Sequence, residues 1–185
     1  MDVQSWQKLK EADVICIVQT CFPTDGSFSF PLEGFLDHYV SAGNGKGIAL
    51  YYKSTFQHRE DFSDTHLQVS KVSSAEVDVI TVYRSSVNNL EQCAAVVASF
   101  IDLEKETVIL GDFNVSFMEE NALRSKLYGL GYKQLLDSAT FYLGTRIDHC
   151  YVQTKSESSY TVAIDFLYWT DHAAVFLTYN CHGNL

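Results

Sequence analysis

Apolar residues fall along this chain in short runs, and their spacing changes from one run to the next. "ADVICIVQT", residues 12 to 20, is apolar at consecutive positions, as expected of a strand covered on both faces. "THLQVSKVSS" alternates polar and apolar residues, and "EVDVITVYR" becomes mostly apolar; both read as strands. The period then changes. In "VNNLEQCAAVVASFIDLEKE", Leu90, Cys93, Ala94, Val97 and Ile101 follow the spacing of one helical face. "TVILGDFN" is the next strand, and "EENALRSKLYGLG" a helix ended by Gly129 or Gly131. A further strand begins near Arg146, and "YTVAIDFLYWTDHAAVFLTY" supplies the last two, broken at "WTDH". Before them, Gln4 to Glu11 reads as a short helix and "CFPTDGSFSFPLEGF" as a loop holding both prolines. "GNGKGIALYYKSTF" is a glycine-rich turn feeding a strand. There is no repeat, low-complexity tract or linker. The pattern predicts one α/β domain over residues 1–185, with mixed sheets and more strands than helices.

Composition supports a packed domain: 46% of the residues are hydrophobic and 14% aromatic. No run approaches the roughly 18 apolar residues of a membrane span, so no membrane partner is expected. "MDVQSWQKLKEADV" lacks a charged-then-apolar signal pattern, which predicts an intracellular protein, nuclear or cytoplasmic. The five cysteines are odd in number and none forms a CxxC pair, which argues against a zinc site or a disulfide framework. The net charge of −10 weighs against gripping nucleic acid by bulk electrostatics, but suits an acidic site that holds a divalent cation.

Candidate chemistry gathers at three strand ends after residue 100: "GDFN", "RIDH" and "TDHAAV". Turn chemistry alone accounts for any one of them, because Asp and Asn are favoured where strands stop. Three together, two with a His directly after the Asp, point further. Asp112 and Asn114 stand two apart, and on an extended chain such residues share a face. Carboxylates and a carboxamide suit a hard, oxygen-preferring cation such as Mg²⁺, and a His beside an Asp suits a general base or a donor to developing charge. His38, His58, His66 and His182 lie in polar surroundings and read as solvent-facing, as do Arg84 and Lys53. His149 follows Asp148, points to the opposite strand face, and reads as structural.

In order and spacing these motifs resemble the endonuclease/exonuclease/phosphatase superfamily, which includes abasic-site endonucleases, DNase I, inositol-polyphosphate phosphatases and retroelement endonucleases. "ADVICIVQT" resembles its second strand and "VYR" its central tyrosine motif. "GDFN" resembles its most diagnostic tetrapeptide, "RIDHCYV" its Asp strand, and "TDHAAV" its terminal Asp-His. "GNGKGIALYYK" and the stretch from Gly131 to Val152 look closest to endonucleases of LINE-like or Helitron-type mobile elements. The resemblance implies a DNase I-like fold, a four-layer α/β/β/α sandwich of two mixed sheets. It implies an Mg²⁺- or Mn²⁺-dependent phosphodiesterase acting on nucleic acid or another phosphoester. By position, Asp112 would orient or deprotonate the attacking water and Asn114 would hold a phosphate oxygen. His172, fixed by Asp148, would stabilise the pentacovalent phosphate or act as base. Tyr83 would donate to the phosphate, and Asp171 would contribute to the metal site.

The sequence departs from the family in two places. The second strand of the family ends in a metal-binding glutamate; here Gln19 stands there, and a neutral amide holds a cation less firmly. Asp25, in the following loop, is a candidate replacement. The family also opens with a strand carrying a site asparagine, and "MDVQSWQKLKEA" has room for a helix but no strand, so the domain reads as N-terminally truncated. The edge so left is expected to be covered by a protein partner or a second copy, which a monodisperse monomer in light scattering would count against. Two functions stay open: a weakened endonuclease, and a catalytically inactive scaffold that binds a protein partner.

Overall fold

The computed structural model describes residues 3–20, 23, 29–43, 46–153, 159–166 and 170–179; the side chains of residues 3–6 and 43 are not among them. Asp25, His182 and part of "GNGKG" lie outside the described residues. Helix α1 spans Val3–Glu11 and is followed by β1 (Val14–Val18), β2 (Leu36–Gly43), β3 (Lys46–Tyr52), β4 (Gln57–Ser63), β5 (Leu67–Ser73) and β6 (Val77–Arg84). Then come α2 (Leu90–Ser99), β7 (Glu106–Asp112), α3 (Ala122–Gly129), β8 (Tyr132–Gln134), β9 (Asp148–Gln153), β10 (Tyr160–Phe166) and β11 (Ala173–Tyr179).

A six-stranded sheet in the order β4-β5-β6-β7-β9-β8 forms the centre of the molecule. It is mixed through one parallel pair, β6–β7, which α2 makes possible by carrying the chain back across the sheet. Asn89 starts α2 by accepting hydrogen bonds from the Glu91 and Gln92 amides. The helical face predicted from Cys93, Ala94 and Val97 is the buried one. With Leu123 and Leu127 of α3 it covers Val69, Ile80, Val82 and Ile109 on one side of the sheet.

The other side of that sheet meets two antiparallel pieces, β1-β3-β2 and the hairpin β10-β11. Ile48, Leu50 and Tyr52 of β3 pack on Val72, Val79 and Tyr83. Val162, Ile164, Val175 and Leu177 of the hairpin pack on Val108, Cys150 and Val152. Helix α1 lies nearby: the Lys8 ammonium sits 4.8 Å over the Phe176 ring, and Lys53 donates to the Lys10 carbonyl. Helices, central sheet and opposed strands thus form the layered α/β sandwich predicted from sequence. Among the described residues, β1 pairs only with β3 and β11 only with β10, so each presents one unpaired edge. That explains why β1 is not covered on both faces as its composition predicts; Ile17 is 46% exposed.

Two strands, β2 and β4, and the short β8 are absent from the sequence reading. Both longer ones are outer strands. Strand β4, "QHREDFS", needs apolar residues on neither face throughout and lacks the alternation that marks a half-buried strand.

Candidate functional site

Strand β7 ends the central sheet's parallel pair at a glycine. Gly111 has φ of 144°, and a Cβ there would stand 1.8 Å from the Val82 carbonyl oxygen of β6. The close approach sets Tyr83 level with Asp112 across the pair. On the other side, β9 places Asp148 directly opposite Asp112. Two carboxylates therefore face one another on adjacent strands, at the end of the sheet where the helical crossover leaves room for a ligand.

Beyond Asp112 the chain turns. Asn114 adopts φ of 47°, a left-handed conformation that Asn tolerates better than most residues. The Asn114 backbone N–H donates to Asp112 Oδ1 (2.8 Å), and its Nδ2 donates to Asp112 Oδ2 and to the Arg84 carbonyl, both at 2.9 Å. Asp112 and Asn114 thus do not point side by side from an extended strand. Asn114 folds back onto Asp112 and holds it, and both of its amide hydrogens are engaged.

Arg84, read from sequence as a solvated residue, is 4% exposed. Its guanidinium donates to the carbonyls of Phe113, Asn114 and Asn88, fixing the turn from beneath. The available signal was its position closing an apolar strand next to Tyr83. Lys53, by contrast, lies over the Phe35 ring, away from these groups.

His172 reaches the site from the segment before β11. Ala173 N–H donates to the Thr140 carbonyl (2.7 Å) and Tyr142 N–H to the Asp171 carbonyl (2.9 Å), so the loop after β8 grips the backbone on both sides of His172. The His172 Nδ1 faces both oxygens of Asp148, at 3.0 and 2.9 Å. That hydrogen bond, with the Asp148 charge behind it, raises the imidazole's pKa above its ordinary value, against some desolvation. With Nδ1 held, Nε2 is the nitrogen turned to any substrate.

Burial, and then the Asp148 charge, push the Asp112 carboxyl up to about 6. Asp112, Asp148 and His172 each bring one donor atom within 4.8 Å of the others. A cation between the two carboxylates would relieve their repulsion, so this donor set fits a hard divalent ion. Asp171 is exposed and is not one of the three convergent groups. Gln19 is exposed too, with a left-handed φ of 55° at the end of β1. Tyr83 borders Asp112 but its ring lies in the core between the sheets.

His149 occupies the opposite strand face. Its Nε2 donates to the Val115 carbonyl (2.9 Å), its Nδ1 accepts from Tyr151 (3.0 Å), and its ring stacks on Phe113. Burial holds its pKa down to about 4, so it is a neutral packing group under the turn.

The perturbed carboxyl gives stability a definite pH dependence. Unfolded, Asp112 ionises near its ordinary 3.8; folded, it keeps its proton up to about 6. Between those values the folded state binds the extra proton, so stability falls as pH rises. His172, also raised, adds in the same direction at higher pH. In the presence of a chelator, thermal unfolding is expected at a lower temperature at pH 7 than at pH 5, Asp112 alone contributing about 2–3 kcal/mol. The slope should flatten in Asp112→Asn, and an unchanged slope would mean that Asp112 ionises as an ordinary carboxylate.

Comparison with known proteins agrees with this geometry. The model of the endonuclease/exonuclease/phosphatase family matches residues 2–172. An AP endonuclease from Archaeoglobus fulgidus superposes with a TM-score of 0.71 at 17% identity, covering 96% of this chain and 93% of its own. The endonuclease domain of TRAS1, a telomere-specific non-LTR retrotransposon, gives 0.66 at 17% identity, covering 93% and 88%. D. rerio TDP2, complexed with a single-strand DNA product, gives 0.61 at 13% identity, covering 96% and 90%. No curated protein sequence matches the chain. With a family model spanning nearly its whole length and the diagnostic strand ends gathered at one place, the chain belongs to the endonuclease/exonuclease/phosphatase family.

Proposed function

We propose that this protein is a divalent-cation-dependent phosphodiesterase, an endonuclease cutting DNA and derived from a mobile element. The carrying observation is the convergence of Asp112, Asp148 and His172 at the end of the parallel strand pair. Mg²⁺ or Mn²⁺, held by the carboxylates with Asp171 and Gln19 as weaker contacts, would supply Lewis-acid polarisation of a phosphate oxygen. Asp112 orients the attacking water and, being ionised above about 6, accepts its proton at neutral pH. His172, charged through its bond to Asp148, stabilises the negative charge that builds on phosphorus. Asn114 acts first on Asp112; it reaches a phosphate oxygen by releasing one of its two amide hydrogen bonds. The unpaired thiols of Cys16, Cys93 and Cys150 suit an intracellular setting.

One observation favours the alternative, a scaffold without turnover: Gln19 offers an amide where the family carries its metal-binding carboxylate. The two readings separate in one assay. Nicking of supercoiled plasmid is expected with Mg²⁺ or Mn²⁺, with loss in Asp112→Asn and a lower cation requirement in Gln19→Glu. Silence from both the native protein and Gln19→Glu would establish the scaffold.

A further inference from the structure

The two strands missing from the sequence reading carry a second constellation. Strand β2 is the outer strand of the three-stranded piece, and β4 the outer strand of the central sheet. On β4, His58 pairs with Val72 and Asp61 with Ser70. Val72 belongs to the core between the sheets, and Ser70 shares its face two residues away. The β4 register slips by one residue between His58 and Glu60, so the three-residue step from His58 to Asp61 behaves as a two-residue step. Both side chains therefore point toward the opposing strands. His38 on β2 stands two residues from Val40, which lies in the same core. The three groups meet at the open rim of the sandwich.

His38 Nε2 lies 2.7 Å from Asp61 Oδ2, and His58 Nε2 lies 3.0 Å from Asp61 Oδ1. The second contact falls outside hydrogen-bonding geometry, leaving the His58 Nε2 atom enclosed and without a hydrogen bond. The imidazole rings stack with centroids 3.8 Å apart. Ser70 Oγ donates to Asp61 Oδ1 at 2.6 Å and fixes the carboxylate. The three donor atoms fall within 4.8 Å of one another. Between 27% and 29% of each side chain is open to solvent, enough for an ion to enter and keep a water.

We propose that His38, His58 and Asp61 bind Zn²⁺ and clip β2 to β4. Two imidazole nitrogens and one carboxylate oxygen are a zinc donor set, whereas Mg²⁺ and Ca²⁺ prefer oxygen alone. In a zinc tetrahedron neighbouring donors stand roughly 3.3 Å apart. The present 2.7 and 3.0 Å spacings need to open by only a few tenths of an ångström. Zn²⁺ takes the place of the proton that His38 shares with Asp61, and binding releases that proton to solvent. The cysteine argument made from sequence does not touch this site, which contains no sulfur. It is also separate from the paired carboxylates. Tyr83, level with Asp112, pairs with Gln68 of β5, while His58 pairs with Val72, four residues or about 13 Å further along that strand.

The test is Zn²⁺ titration of the whole chain against a competing chelator, followed by the NMR signals of the imidazole nitrogens. The His38 and His58 rings should shift on binding, and the response should persist in His172→Ala. His58→Ala should weaken Zn²⁺ binding at this site at least about 100-fold and Ser70→Ala about 10-fold, the latter in the range for an outer partner. Excess Mg²⁺ should displace nothing. Should His58→Ala fail to fold, His38→Gln, on the other edge strand, asks the same question. Zn²⁺ that moves only the His172 ring, or an affinity unchanged in these variants, would overturn the proposal.

Discussion

His172→Ala is expected to slow phosphodiester cleavage about 10³-fold, within the span of 10²–10⁴ usual for a positioned acid or base. The loss has two parts. The imidazole that stabilises developing charge disappears, and so does the positive neighbour that lowers the Asp112 pKa. Asp112 then needs a higher pH to ionise, so the residual activity should rise along a pH profile displaced upward. Asp148→Asn removes the same device from behind, since His172 Nδ1 lies within 3.0 Å of both Asp148 oxygens. The double variant should be scarcely slower than either single one, because a pair acting as a unit is lost once. Single-turnover cleavage of a defined duplex measures all three. Additive losses would show that Asp148 acts on its own account and not through His172.

The second large effect falls on stability. Gly111→Ala is expected to cost about 4 kcal/mol or to prevent folding, the scale of an outright steric conflict in a core. The added Cβ would meet the Val82 carbonyl oxygen at 1.8 Å and the Val82 nitrogen at 2.9 Å, both backbone atoms that cannot swing aside. A φ of 144° adds strain that only glycine avoids. Urea denaturation followed by circular dichroism gives the number. Gly129→Ala, where an added Cβ meets nothing within 4 Å at the end of α3, supplies the control and should be neutral or slightly stabilising. Equal effects at the two positions would contradict the close approach of β6 and β7.

These two positions also mark what the sequence made legible. Strand β7 and its terminal Asp112 stood out because an apolar run buried on both faces ends there in polar residues. The 3.6-residue period of α2 was equally plain. Strands β2 and β4 did not stand out, because outer strands need fewer apolar residues and the β4 slip destroys a two-residue period. His38 and His58 were consequently read as solvent-facing, when they stack and share Asp61. Arg84 was misjudged for a different reason. The carbonyls it satisfies lie on residues 88, 113 and 114, and only the fold brings these to one guanidinium. Asn114 was expected to face a ligand beside Asp112, but period-two logic ends where the backbone turns left-handed.

The site's last member arrives on a segment that is anchored separately from the rest. His172 precedes a two-stranded hairpin with no ladder to the other strands among the described residues. Its seat depends on two backbone hydrogen bonds to the loop after β8 and on one small apolar cluster. Such a unit can open at a lower free energy than the central sheet. During synthesis, a chain whose central sheet has formed still lacks its imidazole until residue 172 emerges and docks. Catalytic competence is therefore conferred late, and a nascent or locally frayed molecule carries the paired carboxylates without the means to cut.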